Sequence, residues 1–99
     1  MKRRLIVGVS AEEELGEASD WYEGKRPGLG IEFVDAVQVA LDAILEAPET
    51  WRFWRKGHPY RKHVLHRFPF VLFFVVDEAT IRIVAIAHAK RRPGYWLGR

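Results

Sequence analysis

Phe70-Val71-Leu72-Phe73-Phe74-Val75-Val76-Asp77-Glu78-Ala79-Thr80-Ile81-Arg82-Ile83-Val84-Ala85-Ile86-Ala87 holds two apolar runs of strand length on either side of a short acidic turn. The first run, Phe70–Val76, contains no polar side chain. A half-solvated strand alternates apolar and polar residues, so an unbroken run predicts a central strand covered on both faces. Asp77-Glu78-Ala79 supplies the turn, and Thr80–Ala87 reads as the neighbouring strand.

Upstream, Lys62, Val64 and His66 alternate with His63, Leu65 and Arg67, which predicts another strand before a turn at Phe68-Pro69. Residues 49–60 read as a loop, with Trp51, Phe53 and Trp54 expected to pack in it or in the core. Before residue 48 the period changes. Phe33, Val37, Ala40, Leu41 and Ile44 keep helical spacing as far as Pro48, and Pro27-Gly28-Leu29-Gly30 separates them from an earlier helix. That helix is expected from about Ala11 to Gly24, with Ala11, Leu15, Ala18 and Tyr22 on its apolar stripe and Trp21 and Tyr22 in the core. Ser10-Ala11-Glu12-Glu13 has the form of a capping box, with Ser10 as the cap. Leu5, Val7 and Val9 alternate with Ile6 and Gly8 as a short first strand. The order β-α-α-β-β-β predicts an α+β fold, a helical hairpin packed on one face of a mostly antiparallel sheet, as a single domain over residues 1–99. Phe33, Val37, Ile44, Leu72, Phe74, Ile83 and Ala85 are its expected core.

Composition narrows the chemistry. The absence of cysteine excludes disulfides, thiolate metal sites and a Cys nucleophile, and fits a reducing compartment; we expect a cytoplasmic protein. No apolar run approaches the ~20 residues of a membrane span. No metal or other cofactor is expected. None of His58, His63, His66 and His88 pairs at helical i, i+4 spacing, and strand alternation puts His63 and His66 on opposite sides. Gly28 and Gly30 follow a helix where a phosphate loop would follow a strand.

Charge is the strongest functional signal. Residues 5–50 hold two cations against eleven acids, whereas residues 51–99 hold eleven cations against two acids. A net charge of +3 therefore hides an acidic half and a basic half, and basic halves meet polyanions or acidic partners. The final strand empties into His88-Ala89-Lys90-Arg91-Arg92-Pro93-Gly94-Tyr95-Trp96. Together with residues in or beside the 62–67 strand, this defines a candidate surface of Arg61, His63, Arg67, His88, Lys90, Arg91, Arg92, Tyr95 and Trp96. Guanidinium groups fit phosphate or carboxylate, and the rings offer stacking or anchoring.

Trp21-Tyr22-Glu23, Pro27-Gly28-Leu29-Gly30, Phe33, Ala40-Leu41, Ile44, Pro48, Arg67-Phe68-Pro69-Phe70, Asp77 and the ending His88 through Trp96 resemble, in register, the RelE/ParE family of bacterial type II toxins. The resemblance implies a growth-arresting toxin held harmless by a cognate antitoxin protein, as a homodimer or a toxin–antitoxin heterotetramer. ParE-like members inhibit DNA gyrase; RelE-like members cut mRNA on the ribosome without a metal. The RelE nuclease branch carries a Lys-x-Lys pair where this chain has His63 and Leu65, and an Arg where it has Phe70 or Val71. In a nuclease of this type the catalytic set would be His63, Arg67, Lys90, Arg91 and Tyr95. A hydrophobic side chain cannot stabilise a pentavalent phosphorane, so the resemblance favours gyrase inhibition. The mRNA endoribonuclease is the second reading, and a non-toxic antitoxin-binding relative the third. On the favoured reading, Arg61, Arg67, His88, Lys90, Arg91, Arg92, Tyr95 and Trp96 bind the target or partner.

Overall fold

The computed structural model describes residues 3–99; Met1 and Lys2 lie outside the described residues. Its elements are β1 (Arg4–Val7), α1 (Val9–Lys25), α2 (Leu29–Glu46), a single 3₁₀ turn at Pro48–Thr50, β2 (Tyr60–Val64), β3 (Phe70–Val76) and β4 (Thr80–His88). The sheet order is β1-β4-β3-β2. β1 runs parallel to β4, and the β3–β4 and β2–β3 pairs are antiparallel. The α+β architecture and element order are those expected from the sequence.

β3 is interior in the sheet and covered on both faces. The helical hairpin lies on one face, where Phe33, Val37, Ala40 and Ile44 of α2 meet Leu72, Phe74, Ile81, Ile83 and Ile86. A smaller cluster of Phe73, Val84, Ala85, Ala87 and Trp96 fills the opposite face. All seven expected core residues are buried. A register shift at Phe73/Phe74 pairs Phe73 with Ala85 and Phe74 with Ile83, leaving Val84 as the extra residue of a bulge. Val84 and Ala85 consequently both join the second cluster, so β4 needs apolar side chains where strict alternation would allow polar ones.

Four local expectations are corrected. The cap of α1 is Gly8, not Ser10, and the helix starts at Val9. The Gly8 N–H donates to the Ile83 carbonyl (2.9 Å), and its own carbonyl accepts the Glu12 N–H (2.9 Å). A Cβ at this position would sit 3.0 Å from the Ile83 oxygen, so glycine lets the strand pass directly into the helix. Ser10 then falls inside the first turn and makes no cap.

The second correction concerns β2, which ends at Val64 rather than reaching Arg67. The Leu65 N–H bonds the Phe70 carbonyl (3.0 Å), and the chain must reverse across 66–69. At its other end the strand includes Tyr60. Third, Trp21 is 59% exposed rather than in the core; Tyr22 alone turns inward, onto Phe33, Phe68 and Phe70. Fourth, Phe53 lies 52% exposed beneath the Arg61 guanidinium.

At the hairpin, Gly28 takes φ 89°, a left-handed conformation that glycine adopts without penalty. The Glu23 carboxylate accepts the N–H groups of Gly28 and Gly30 and so caps α2 from the preceding helix. A Cβ on Gly30 would come within 2.6 Å of the Ser19 carbonyl, so the glycine sets how closely the helices approach.

Candidate functional site

The structure divides the expected surface. Pairing puts His63 opposite Leu72, with both side chains on the helix-bearing face, and His88 opposite Phe70 on the same face. Tyr95 and Trp96 lie against the other face, in the cluster with Phe73 and Val84. Arg67 belongs to the β2–β3 turn, and Lys90, Arg91 and Arg92 to the turn beyond β4.

Trp96 corrects the expectation of a surface anchor. It is 1% exposed, stacked on Phe73 (centroids 4.5 Å, 28°) and met edge-on by Tyr60 (4.6 Å) and Trp54 (4.8 Å). It is the keystone of the second core rather than a rim residue.

Tyr95 is held by a latch that sequence reasoning missed. The Glu14 carboxylate of α1 accepts the Tyr95 hydroxyl, the Ile86 N–H (3.0 Å) and the Arg99 guanidinium (2.9 Å). β1 pairs only with residues 80–83 of β4, so Glu14 satisfies a donor on the stretch of β4 edge that β1 leaves open. Arg99 also donates to the Val84 carbonyl (3.2 Å) on that edge. Burial, then the Glu14 carboxylate, push the Tyr95 pKa well above the ordinary phenol value, so its proton stays in place near neutrality. Glu14 sits in a run of three glutamates that also suits a helix N-terminus, which is why its separate role had no sequence signal.

Arg91 lies with its guanidinium 3.9 Å from the Tyr95 ring centroid and lines a shallow cleft with Glu13, Glu14 and Glu17 of α1; it is exposed, as are Lys90 and Arg92. The turn that displays them is tied down at three points. Ala89 N–H bonds the Pro69 carbonyl (2.7 Å), Lys90 N–H bonds His88 Nδ1 (3.1 Å), and Arg91 N–H bonds the His88 carbonyl (3.0 Å). These cations are thus presented on a fixed backbone.

Arg61 is committed to structure. Its guanidinium donates to the carbonyls of Trp51 (2.9 Å) and Glu49 (3.3 Å) and stacks on Phe53, pinning the 49–54 segment to β2. Arg67 and Arg26 share the Glu32 carboxylate, whose pKa is lowered by those two partners.

His63 and His66 do not diverge as strand alternation predicts, because β2 ends between them. Both line a groove of about 380 Å³ with Ala36, Val39 and Ala43 of α2, and a neighbouring cleft with Trp51 and Lys62. Two hydrogen bonds from the 52–54 segment, Trp54 N–H to Tyr60 and Lys62 N–H to Arg52, cover the first half of the outer edge of β2. Val64 lies beyond them, with its side chain exposed.

His63 packs against Trp51 (4.3 Å), and its Nδ1 is buried without a hydrogen-bond partner. Burial first, and the nearby His66 second, lower its pKa. The fold therefore holds the neutral ring, while the unfolded chain takes up the proton at higher pH. The resulting stability is fully present above the unfolded histidine value of about 6.5 and is lost as pH falls from there through the lower folded value. Melting temperature should drop between about pH 7 and about pH 5, and the drop should be shallower in His63→Gln. Parallel pH profiles in the two proteins would refute this role.

A metal-independent ribonuclease needs a proton-transfer pair and cations converging on one phosphate. Here His63 and Tyr95 occupy opposite faces of the sheet, the Tyr95 hydroxyl is committed to Glu14, and Phe70 stands at the start of β3.

The family model described as the ParE toxin of the type II toxin-antitoxin system, parDE, matches residues 5–93. The chain belongs to the ParE toxin family of type II toxin-antitoxin systems. The resemblance read from the sequence therefore holds, on its ParE side. The fold of this ParE-family toxin is similar to a solved chain of the chromosomal ParDE toxin-antitoxin system from P. aeruginosa, with a TM-score of 0.80 and 19% identity. The match covers 90% of this chain and 98% of that one. No curated protein matches the sequence. Membership in a ParDE-type module implies a cognate antitoxin for this ParE-family chain. Among the described residues, no helix is long and apolar enough to cross a membrane.

Proposed function

We propose that this ParE-family toxin arrests growth by binding DNA gyrase on DNA, without cleaving RNA, and that it does so in the cytoplasm. The observation that carries this reading is the separation of the would-be catalytic groups across the two faces of the sheet. What remains on the rim is a rigid display of Lys90, Arg91 and Arg92, suited to gripping a partner or a phosphate backbone rather than to moving protons. Expression of the chain should produce filamentous cells with a DNA-damage response. Immediate translation arrest in undamaged cells would count against it.

The same reading assigns the groove between α2 and β2 to the antitoxin. An acidic segment laid there would bury its apolar residues against Ala36, Val39 and Ala43 and extend the sheet at Val64. Its carboxylates would meet Lys62 and His66. Association should therefore slow markedly as salt rises. An association rate unchanged by ionic strength would remove the electrostatic part of this assignment.

A further inference from the structure

Trp21 is a large apolar side chain that the fold does not use. It stands 59% exposed near the end of α1, edge-on to Tyr22 (5.1 Å, 82°), with Lys25 Nζ 4.6 Å from its ring. Beside it opens a cleft of about 240 Å³, walled by Trp21, Tyr22, Phe70 and His88. The His88 ring packs against Phe70 (5.2 Å) and accepts the Lys90 N–H at Nδ1, so its neutral form carries the proton on Nε2 as a donor.

This end of the molecule is also cationic. Lys25 and Lys90 are exposed and in no ion pair among the described residues, while Arg26 and Arg67 share the single carboxylate of Glu32. Of the other acids, Glu17, one turn before Trp21, lines the separate cleft with Arg91 and Arg99, Glu23 is occupied by the α2 cap, and Asp20 stands exposed beside Trp21, so these four cations exceed the carboxylates of Glu32, Glu23 and Asp20 by one.

We propose that this cleft binds a nucleobase of single-stranded nucleic acid, its ring against Trp21 and its flanking phosphates toward Lys25 and Lys90. An apolar cleft alone would suit any flat group. An indole, a ring N–H donor and surplus cations together match a nucleotide, which brings a π-face, acceptor atoms and a negative charge. A partner's aromatic side chain would bring no charge for the cations to meet. The site stands independently of the gyrase reading, since it concerns strand binding and not the target enzyme.

The test compares two fluorescein-labelled single strands of equal length and charge, an oligothymidylate and its abasic counterpart, by fluorescence anisotropy at two salt concentrations. The parent protein should bind the base-bearing strand about tenfold more tightly than the abasic one. Trp21→Ala should abolish that preference and leave the salt dependence and the melting temperature unchanged, because an exposed side chain adds little to the core. Trp21→Phe should keep most of the preference. Equal affinity of the parent for the two strands would overturn the proposal, as would a Trp21→Ala loss of the same size on both. Stronger binding of an acidic phenylalanine-bearing peptide, dependent on Trp21, would overturn it in favour of a protein ligand.

Discussion

Trp96→Ala is expected to cost about 3–5 kcal/mol, the range for removing a buried large aromatic side chain. The indole bridges three other aromatic rings and closes the face of the sheet opposite the helices. Domains of this size have only about 5–15 kcal/mol in total, so the variant should melt well over 10 °C lower, and the weaker the parent, the more of it will be unfolded. Trp96→Phe should recover part of the loss, because the stack on Phe73 survives. Thermal and denaturant unfolding measure both. A Trp96→Ala protein as stable as the parent would contradict the second core. Loss of toxicity in this variant therefore says nothing about target contact.

The double change Arg91→Ala, Arg92→Ala carries the opposite expectation. Both side chains are exposed, and Arg91 forfeits a cation–π contact with Tyr95, worth roughly 0.5–1 kcal/mol at a surface site, and a solvent-screened attraction to the glutamates of the cleft it lines with α1. The fold should melt within a few degrees of the parent. Toxicity, read as growth after induction, should fall by about a hundredfold or more if these are anchors of the size arginines reach at interfaces. A folded double variant that still arrests cells would place the target-binding surface elsewhere.

The fold was largely legible because its signals are local. The polar-free run at Phe70–Val76 and the helical spacing from Phe33 to Ile44 each specify an element without knowledge of the rest. What was misread depended on long-range neighbours. Ser10 has the chemistry of a cap, but Gly8 takes that role because its amide is already paired with Ile83, far along the chain. Trp21 reads as core and Trp96 as rim from their sequence neighbours, and the structure reverses both. The difference is that Trp96 folds back over Phe73, whereas Trp21 sits one position away from the inward stripe of α1 defined by Tyr22. Glu14 was hidden for a related reason: its partners lie on β4 and beyond, joined by topology and not by spacing.

The basic half of the chain was likewise visible as charge but not as arrangement. Arg61 is consumed by carbonyls of the 49–51 segment and Arg67 by Glu32, which leaves the tied-down turn at 90–92 as the open cationic feature of the β4 end. The grouping of His63 with Tyr95 could be drawn on the sequence, yet the pleat of the sheet separates them.

On the proposed function, this toxin acts on gyrase and leaves RNA intact. The most direct measurement runs purified protein side by side in a gyrase supercoiling assay and in a ribosome-dependent mRNA cleavage assay, with the Arg91/Arg92 double variant as control. The parent should inhibit supercoiling, the double variant should lose this inhibition, and mRNA should stay whole. Codon-phased cuts in mRNA together with undisturbed supercoiling would contradict this reading and establish the ribonuclease instead.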